Sequence, residues 1–169
     1  TSFIQQHYKN FSSMSWVYSC GAGANYGTAL ESALKMGETI HIPSCCYEIE
    51  EYIHGPNLQL TPQYNVIFFD GNDGASRRVE QVYKATRKVT NRAYLISNNP
   101  QLSRDGHVLS LSDTVSSELS PLVYLPFVQL LSFIVSNDLH SIYQHPLLKE
   151  FKAIAAAKTE NFVNYDGDD

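Results

Sequence analysis

Apolar residues in this chain fall into two alternating patterns. Short uninterrupted runs predict buried strands, and apolar positions recurring every three or four residues predict amphipathic helices. The predicted strands are 15–20, 39–43, 65–70, 92–97 and a weaker one at 107–111. The predicted helices are 2–11, 25–38, 47–53, 75–90, 117–137 and 145–158.

Strands that alternate with helices pair in parallel through right-handed crossovers. The pattern therefore predicts an α/β fold, an open three-layer αβα sandwich. Ligands of such sheets bind beyond the carboxyl ends of the strands. The loops after Cys20, Pro43, Asp70 and Ser97 are therefore the first places to expect a site.

Composition narrows the class of protein. The 169 residues suit one domain, and a net charge of −5 disfavours nucleic-acid binding, which depends on basic side chains. Only 17% of the residues are charged. This is below the usual quarter, so we expect a partner to cover part of the surface, either a second copy or a second domain.

Two further features bear on location. The apolar segment 119–135 is interrupted by prolines and polar residues, so the sequence predicts no membrane span. Cys20, Cys45 and Cys46 are an odd number without metal-ligand spacing. This predicts a reduced, cytoplasmic protein without a zinc site.

A glycine-rich segment follows the first predicted strand. Gly21, Gly23 and Gly27 open the next helix, where backbone N–H groups favour anions. A dinucleotide site also needs a carboxylate at the end of the second strand. That strand ends in 43–45, Pro-Ser-Cys, so a tight turn or a site for another ligand is the preferred interpretation.

Two groups of ionisable residues follow. Glu31, Lys35 and Glu38 project from one side of a helix, either as a solvated ion pair or, if enclosed, as an acid–base pair. His54 precedes Gly55-Pro56. A histidine there is either a packing residue or a proton carrier held in a defined place.

Together these segments resemble the SIS (sugar isomerase) family. Residues 21–38 and the E-x-x-H-G-P segment that runs from Glu51 to Pro56 are similar to the C-terminal SIS domain of glucosamine-6-phosphate synthases. Fructosamine-6-phosphate deglycases share this plan. The resemblance implies a flavodoxin-like fold with a five-stranded, mostly parallel sheet that binds a phosphosugar, with no cofactor and no metal.

The resemblance also implies roles. Glu38 would move a proton between C1 and C2 of the sugar, with Lys35 beside it. His54 would help to open the sugar ring, often from across a dimer interface. Lys158 would lie over the substrate carbonyl, although Lys149 and Lys152 compete for that role. The expected substrate-binding residues are Gly21, Gly23, Asn25, Tyr26 and Glu51.

One segment departs from the family. SIS domains that grip phosphate carry a Ser/Thr-rich loop, whereas Asp70 and Asp73 occupy the comparable place and would repel a phosphate. We therefore expect residues 1–169 to be a single SIS domain, the C-terminal half of a two-SIS protein. The main hypothesis is an isomerase or deglycase, and the alternative is a non-catalytic phosphosugar sensor.

Overall fold

The computed structural model describes residues 1–102, 105–111, 115–141 and 154. Five parallel strands form one sheet in the order β2-β1-β3-β4-β5. This is the flavodoxin-like order expected for a doubly wound sheet. The strands are β1 (Val17–Gly21), β2 (Ser44–Glu48), β3 (Asn65–Asp70), β4 (Ala93–Ser97) and β5 (Val108–Ser110).

Helices cover both faces of the sheet. They are α1 (Ser2–Gln6), α2 (Tyr8–Ser12), α3 (Ala24–Ile40), α4 (Ile49–Ile53), α5 (Ser76–Thr86) and α6 (Ser120–Asp138). Three short 3₁₀ helices span Pro56–Gln59, Pro100–Leu102 and Ser117–Leu119. The predicted three-layer architecture is confirmed.

The core has two halves, one on each face. α3, α6 and the two N-terminal helices pack over one face, where Ile67, Phe69 and Ile96 point. α4 and α5 pack over the other face, against Val66 and Phe68. Successive side chains of a strand point to opposite faces of the sheet, so each strand contributes side chains to both halves of the core.

The second predicted strand is wrong. α3 continues through Ile40 and ends at His41, whose φ of 62° is left-handed, and β2 begins only at Ser44. The alternating residues 39–43 imitate a strand. The helix nevertheless continues because Ile40 is buried against the core that α3 shares with α6.

The other predicted helix boundaries differ less from those of the structure. The predicted first helix is broken at His7 into α1 and α2, and α5 ends at Thr86 rather than at residue 90. The predicted helix 145–158 and its candidate Lys158 lie outside the described residues, apart from residue 154.

The last described helix is apolar enough to be mistaken for a membrane span. Residues Ser117–Asp138 pass that test by length and composition, with a mean hydropathy of 1.7. In the fold α6 packs along α3, and one of its faces is fully buried. The buried positions include Tyr124, Val128, Leu131 and Val135. This spacing is that of a core helix.

Candidate functional site

The predicted acid–base residues do lie on one face of α3. The Lys35 Nζ atom is 2.6 Å from Glu38 Oε2 and 3.5 Å from Glu31 Oε1. The hydrogen bond to Glu38 raises the pKa of Lys35, and Glu31 adds to the effect. The Glu38 side chain is 50% exposed. The pair therefore stands at an open surface in this chain.

Glu38 borders a groove of 560 Å³ between α3 and the edge strand β2. Its lining is mostly apolar: Leu30, Ala33, Leu34, Gly37, Glu38, Ser44 and Cys46. Leu30 and Leu34 are about half exposed. The groove therefore combines exposed leucines with a carboxylate.

A second polar group includes Tyr26 in the first turn of α3, Cys46 in the middle of β2 and Glu51 on α4. The pKa of Tyr26 is raised, chiefly by Cys46 and then by burial, Glu51 and Glu48. Burial and the Glu51 charge raise the pKa of the Cys46 thiol to about 11. The predicted residues Tyr26 and Glu51 thus interact electrostatically, together with Cys46, which no motif in the sequence indicated.

Glu51 has a structural task of its own. Glu48 accepts a hydrogen bond from the Glu50 N–H at 2.6 Å, and Glu51 accepts one from the Glu48 N–H at 3.3 Å. These two bonds form a capping box at the start of α4. Glu51 therefore stabilises the helix that carries His54.

His54 is exposed at the carboxyl end of α4. Its Nδ1 atom is 2.6 Å from the Glu50 carbonyl oxygen, which can only accept, so Nδ1 carries the proton in this contact. The Nε2 atom is then the nitrogen that carries the ring's lone pair. Gly55 and Pro56 follow and lead into a 3₁₀ helix.

Glu38 and His54 do not meet within one chain. α3 contributes to the core on one face of the sheet and α4 to the core on the other. The groove at Glu38 is lined by α3 and β2, without α4. The described residues therefore do not bring the two groups together within one chain.

The predicted glycines serve close packing at the start of α3. A Cβ atom on Gly21 would lie 2.3 Å from the Asn25 carbonyl oxygen, so a larger residue cannot fit. Gly23 adopts a positive φ of 54°, and a Cβ atom there would lie 3.4 Å from Asp73 Oδ2. The loops after β1 and β3 therefore meet at the crevice where the strand order reverses.

Asn25 is buried, and both ends of its side-chain amide form hydrogen bonds. Its amide nitrogen donates to Ser120 Oγ at 2.7 Å, and its amide oxygen accepts from Thr28 Oγ1 at 3.0 Å. The side chain ties α3 to the start of α6. This contact between distant segments gave no signal in the sequence.

The acidic loop after β3 is closed by its own side chains. Asp70 is 1% exposed, and its carboxylate accepts from Ser76 Oγ at 2.5 Å and from Ser97 Oγ at 2.7 Å. Asp73 accepts from the Ala75 N–H at 2.8 Å. These carboxylates take up N–H and O–H donors around the first turn of α5 that a phosphate would otherwise use.

No group of three or more His, Cys, Asp or Glu side chains that could hold a metal ion occurs among residues 1–102, 105–111, 115–141 and 154.

No family model matches the chain. It is 30% identical over 122 residues to a glutamine–fructose-6-phosphate aminotransferase [isomerizing] of Methanothermobacter thermautotrophicus, covering 70% of this chain. It is 28% identical over 125 residues to the enzyme of the same description from Xylella fastidiosa, covering 73% of this chain. The chain spans about a fifth of the length of these relatives, 20% in each case.

Solved structures share the fold. A candidate phosphosugar isomerase from Clostridium difficile 630 superposes with a TM-score of 0.81 at 21% identity, over 95% of this chain and 44% of that one. The C-terminal domain of glucosamine-fructose-6-phosphate aminotransferase from Francisella tularensis gives 0.68 at 24% identity, over 80% and 39%. The tagatose-6-phosphate ketose/aldose isomerase from Escherichia coli gives 0.70 at 15% identity, over 82% and 40%.

The sequence relatives and the shared fold together confirm the resemblance that the motifs indicated, and the chain has the SIS fold of phosphosugar isomerases.

Proposed function

We propose that this chain supplies the acid–base half of a phosphosugar isomerase or deglycase that acts on an amino or amine-linked ketose 6-phosphate. The observation that carries the proposal is the placement of Glu38, bonded to Lys35, at the mouth of the α3–β2 groove. The matching spacing to His54 in the E-x-x-H-G-P segment supports it.

The chemistry needs one base that serves two adjacent carbons. Glu38 takes the proton from one carbon and returns it to the next through a planar enediol or enolamine. Lys35, whose pKa is raised, stays cationic and stabilises negative charge that develops on the substrate oxygens. A base of this kind contributes roughly 10²–10⁴-fold to the rate.

A second unit completes the site. We propose that an N-terminal SIS domain covers Leu30 and Leu34, encloses Glu38 and holds the phosphate, because the loop at Asp70 is already filled. His54 of a second copy opens the sugar ring, since the His54 of the same chain lies in the other helical layer. Lys158 remains the candidate over the substrate carbonyl.

We also place the protein in the cytoplasm. All three cysteines are free thiols, and Cys20 is fully buried. A reducing compartment keeps such thiols intact.

Glu38→Gln tests the catalytic role. In the full-length protein we expect deuterium exchange between C1 and C2, followed by NMR, to fall by roughly 10²–10⁴-fold while sugar binding is nearly unchanged. Glu31→Gln is the matched control, because Glu31 contacts Lys35 from the same helix face at 3.5 Å. Unchanged exchange in the Glu38 variant removes Glu38 from the role.

The alternative is a non-catalytic module that senses a phosphosugar. Two observations favour it: Glu38 is half exposed in this chain, and carboxylates fill the loop after β3. The same experiment separates the two functions. A sensor binds the sugar without any exchange in the unmodified protein.

A further inference from the structure

One side of the α3–β2 groove plays no part in the proposed acid–base chemistry. Glu38 and Lys35 supply the charged groups of that chemistry. Leu30 and Leu34 line the same groove or its rim, with 48% and 51% of their surfaces exposed. Nearly every carbon of a sugar phosphate carries an oxygen atom, so a sugar alone offers these leucines little apolar surface to contact.

Glu38 stands at the border between a polar and an apolar sector of α3. An α-helix turns by about 100° per residue, so Leu30, Leu34 and Glu38 form a stripe that drifts by about 40° at each step. Glu31 and Lys35 lie beyond Glu38 on the other side of this stripe, where Lys35 contacts both glutamates. A molecule that reacts at Glu38 therefore meets polar groups on one side and leucines on the other.

The floor beside the leucines offers little to a polar group. Ser44 Oγ already donates its proton to the Ala33 carbonyl oxygen at 2.6 Å. Burial raises the pKa of the Cys46 thiol to about 11, so this thiol is neutral at pH 7. Among the described residues that line the groove, Glu38 alone is charged. A polar substituent would therefore lose water here without gaining a partner.

The groove has room for a substituent next to the reacting carbons. The rise of about 1.5 Å per residue places Leu34 about 6 Å and Leu30 about 12 Å from Glu38 along the helix axis. The volume of 560 Å³ is that of a small-molecule site. A cavity of about 150 Å³ holds benzene, so one such ring fits beside the sugar carbons.

We propose that the substrate is a ketose 6-phosphate whose C1 nitrogen carries an apolar substituent, and that Leu30 and Leu34 bind this substituent. The C1–N bond is adjacent to the C1–C2 pair at Glu38, so the substituent enters the apolar side when the sugar faces Lys35. The secondary amine of such a compound is cationic at neutral pH, and the Glu38 carboxylate complements its charge.

This inference rests on the proposed function, because it places C1 and C2 of the sugar at Glu38. The N-terminal SIS domain of that proposal supplies the outer wall of the same groove. The leucines are then covered by the substituent and the domain together.

Two derivatives of 1-amino-1-deoxyfructose 6-phosphate test the inference, one N-methylated and one N-benzylated. In the full-length protein, kcat/KM for deuterium exchange at C1 is expected to be about tenfold or more higher for the benzyl compound, because its ring is removed from water. Leu34→Gln is expected to reduce this ratio to about twofold or less. Circular dichroism melts check that the variant folds.

Leu122→Gln is the matched control. Leu122 is 68% exposed on α6 and does not line the groove, so the full ratio should persist. Equal kcat/KM values for the two derivatives overturn the inference, as does a ratio that survives Leu34→Gln combined with Leu30→Gln. Faster exchange of glucosamine 6-phosphate than of the benzyl compound also overturns it.

Binding separates this inference from the proposed function. Calorimetric Kd values for the two derivatives provide the same comparison without any reaction. A preference for the benzyl compound that Leu34→Gln abolishes, in a protein that exchanges neither derivative, supports the binding site and refutes the catalytic function alone.

Discussion

Asp70 links three segments that are far apart in the chain. Its carboxylate accepts hydrogen bonds from Asn72, Ser76 and Ser97, and its carbonyl accepts one from Tyr124 on α6. A buried carboxylate whose two oxygens both accept hydrogen bonds is part of the architecture of the loop. Because these donors are already bonded to Asp70, they are not available to bind a phosphate.

Asp70→Ala is expected to lower the free energy of unfolding by about 2–4 kcal/mol, because it leaves buried donors without an acceptor. Urea denaturation measures this. Asp73→Ala removes only the hydrogen bond from the Ala75 N–H in the turn before α5 and should cost about 1 kcal/mol. Equal, small losses in both variants would show that the Asp70 contacts are not formed.

His107 is the residue through which we expect acid to destabilise the fold. Its ring stacks on Tyr94 at a centroid distance of 5.6 Å and lies 4.7 Å from the ring of His7, which holds α1 through the Gly106 carbonyl. Burial, followed by the charges of Arg87 and His7, lowers the pKa of His107, and Asp105 opposes this only partly. The unfolded chain therefore binds a proton more readily than the folded one.

We expect the free energy of unfolding to fall as the pH drops below about 6.5, because protons then favour the unfolded state. His107→Asn should flatten this dependence between neutral pH and about pH 5, above the range in which carboxylates titrate. Urea denaturation across this range measures it. A variant as steep as the unmodified protein would assign the effect to another group.

At the level of elements, burial decides which sequence patterns can be trusted. β3 matches its predicted bounds because all six of its residues are buried between both helical layers. β2 is an edge strand whose residues are only half-buried, so its pattern is weak. The stronger alternation just before it falls on the end of α3 and on the loop that leads to β2.

The wrong strand at 39–43 does not affect the predicted spacing of Glu31, Lys35 and Glu38, because all three residues lie on α3. The face on which His54 lies could not be predicted. It depends on where β2 ends and on which side α4 crosses the sheet, and neither is encoded in the E-x-x-H-G-P segment itself.

The assignment of α6 as a core helix can be tested by comparing a buried and an exposed leucine. Leu131→Ala should destabilise the chain by about 2–5 kcal/mol, since the residue is fully buried against the α3 layer. Leu122→Ala, on the exposed side of the same helix, should change stability by less than about 0.5 kcal/mol. Thermal or urea unfolding compares them. Equal effects would contradict the assignment of α6 as a core helix.

On the scale of the whole molecule, the groups that we propose for one reaction are spread over separate surfaces. Glu38 borders the α3–β2 groove, His54 lies in the opposite layer, and the crevice between the loops after β1 and β3 contains Asp73. The net charge of −5 adds a general repulsion of anions. An arrangement of this kind favours activity in an assembly over activity in a single copy.

The chain alone should therefore bind fructose 6-phosphate no more tightly than about 1 mM, which corresponds to about −4 kcal/mol. Titration of ¹⁵N-labelled chain measures this, with unphosphorylated fructose as the control. The two ligands should shift the same few signals near Glu38 to similar extents, because nothing in this half favours the phosphate. Micromolar affinity for the phosphate ester, with shifts at residues 74–76, would mean that the acidic loop opens to grip phosphate and that the site needs no second unit.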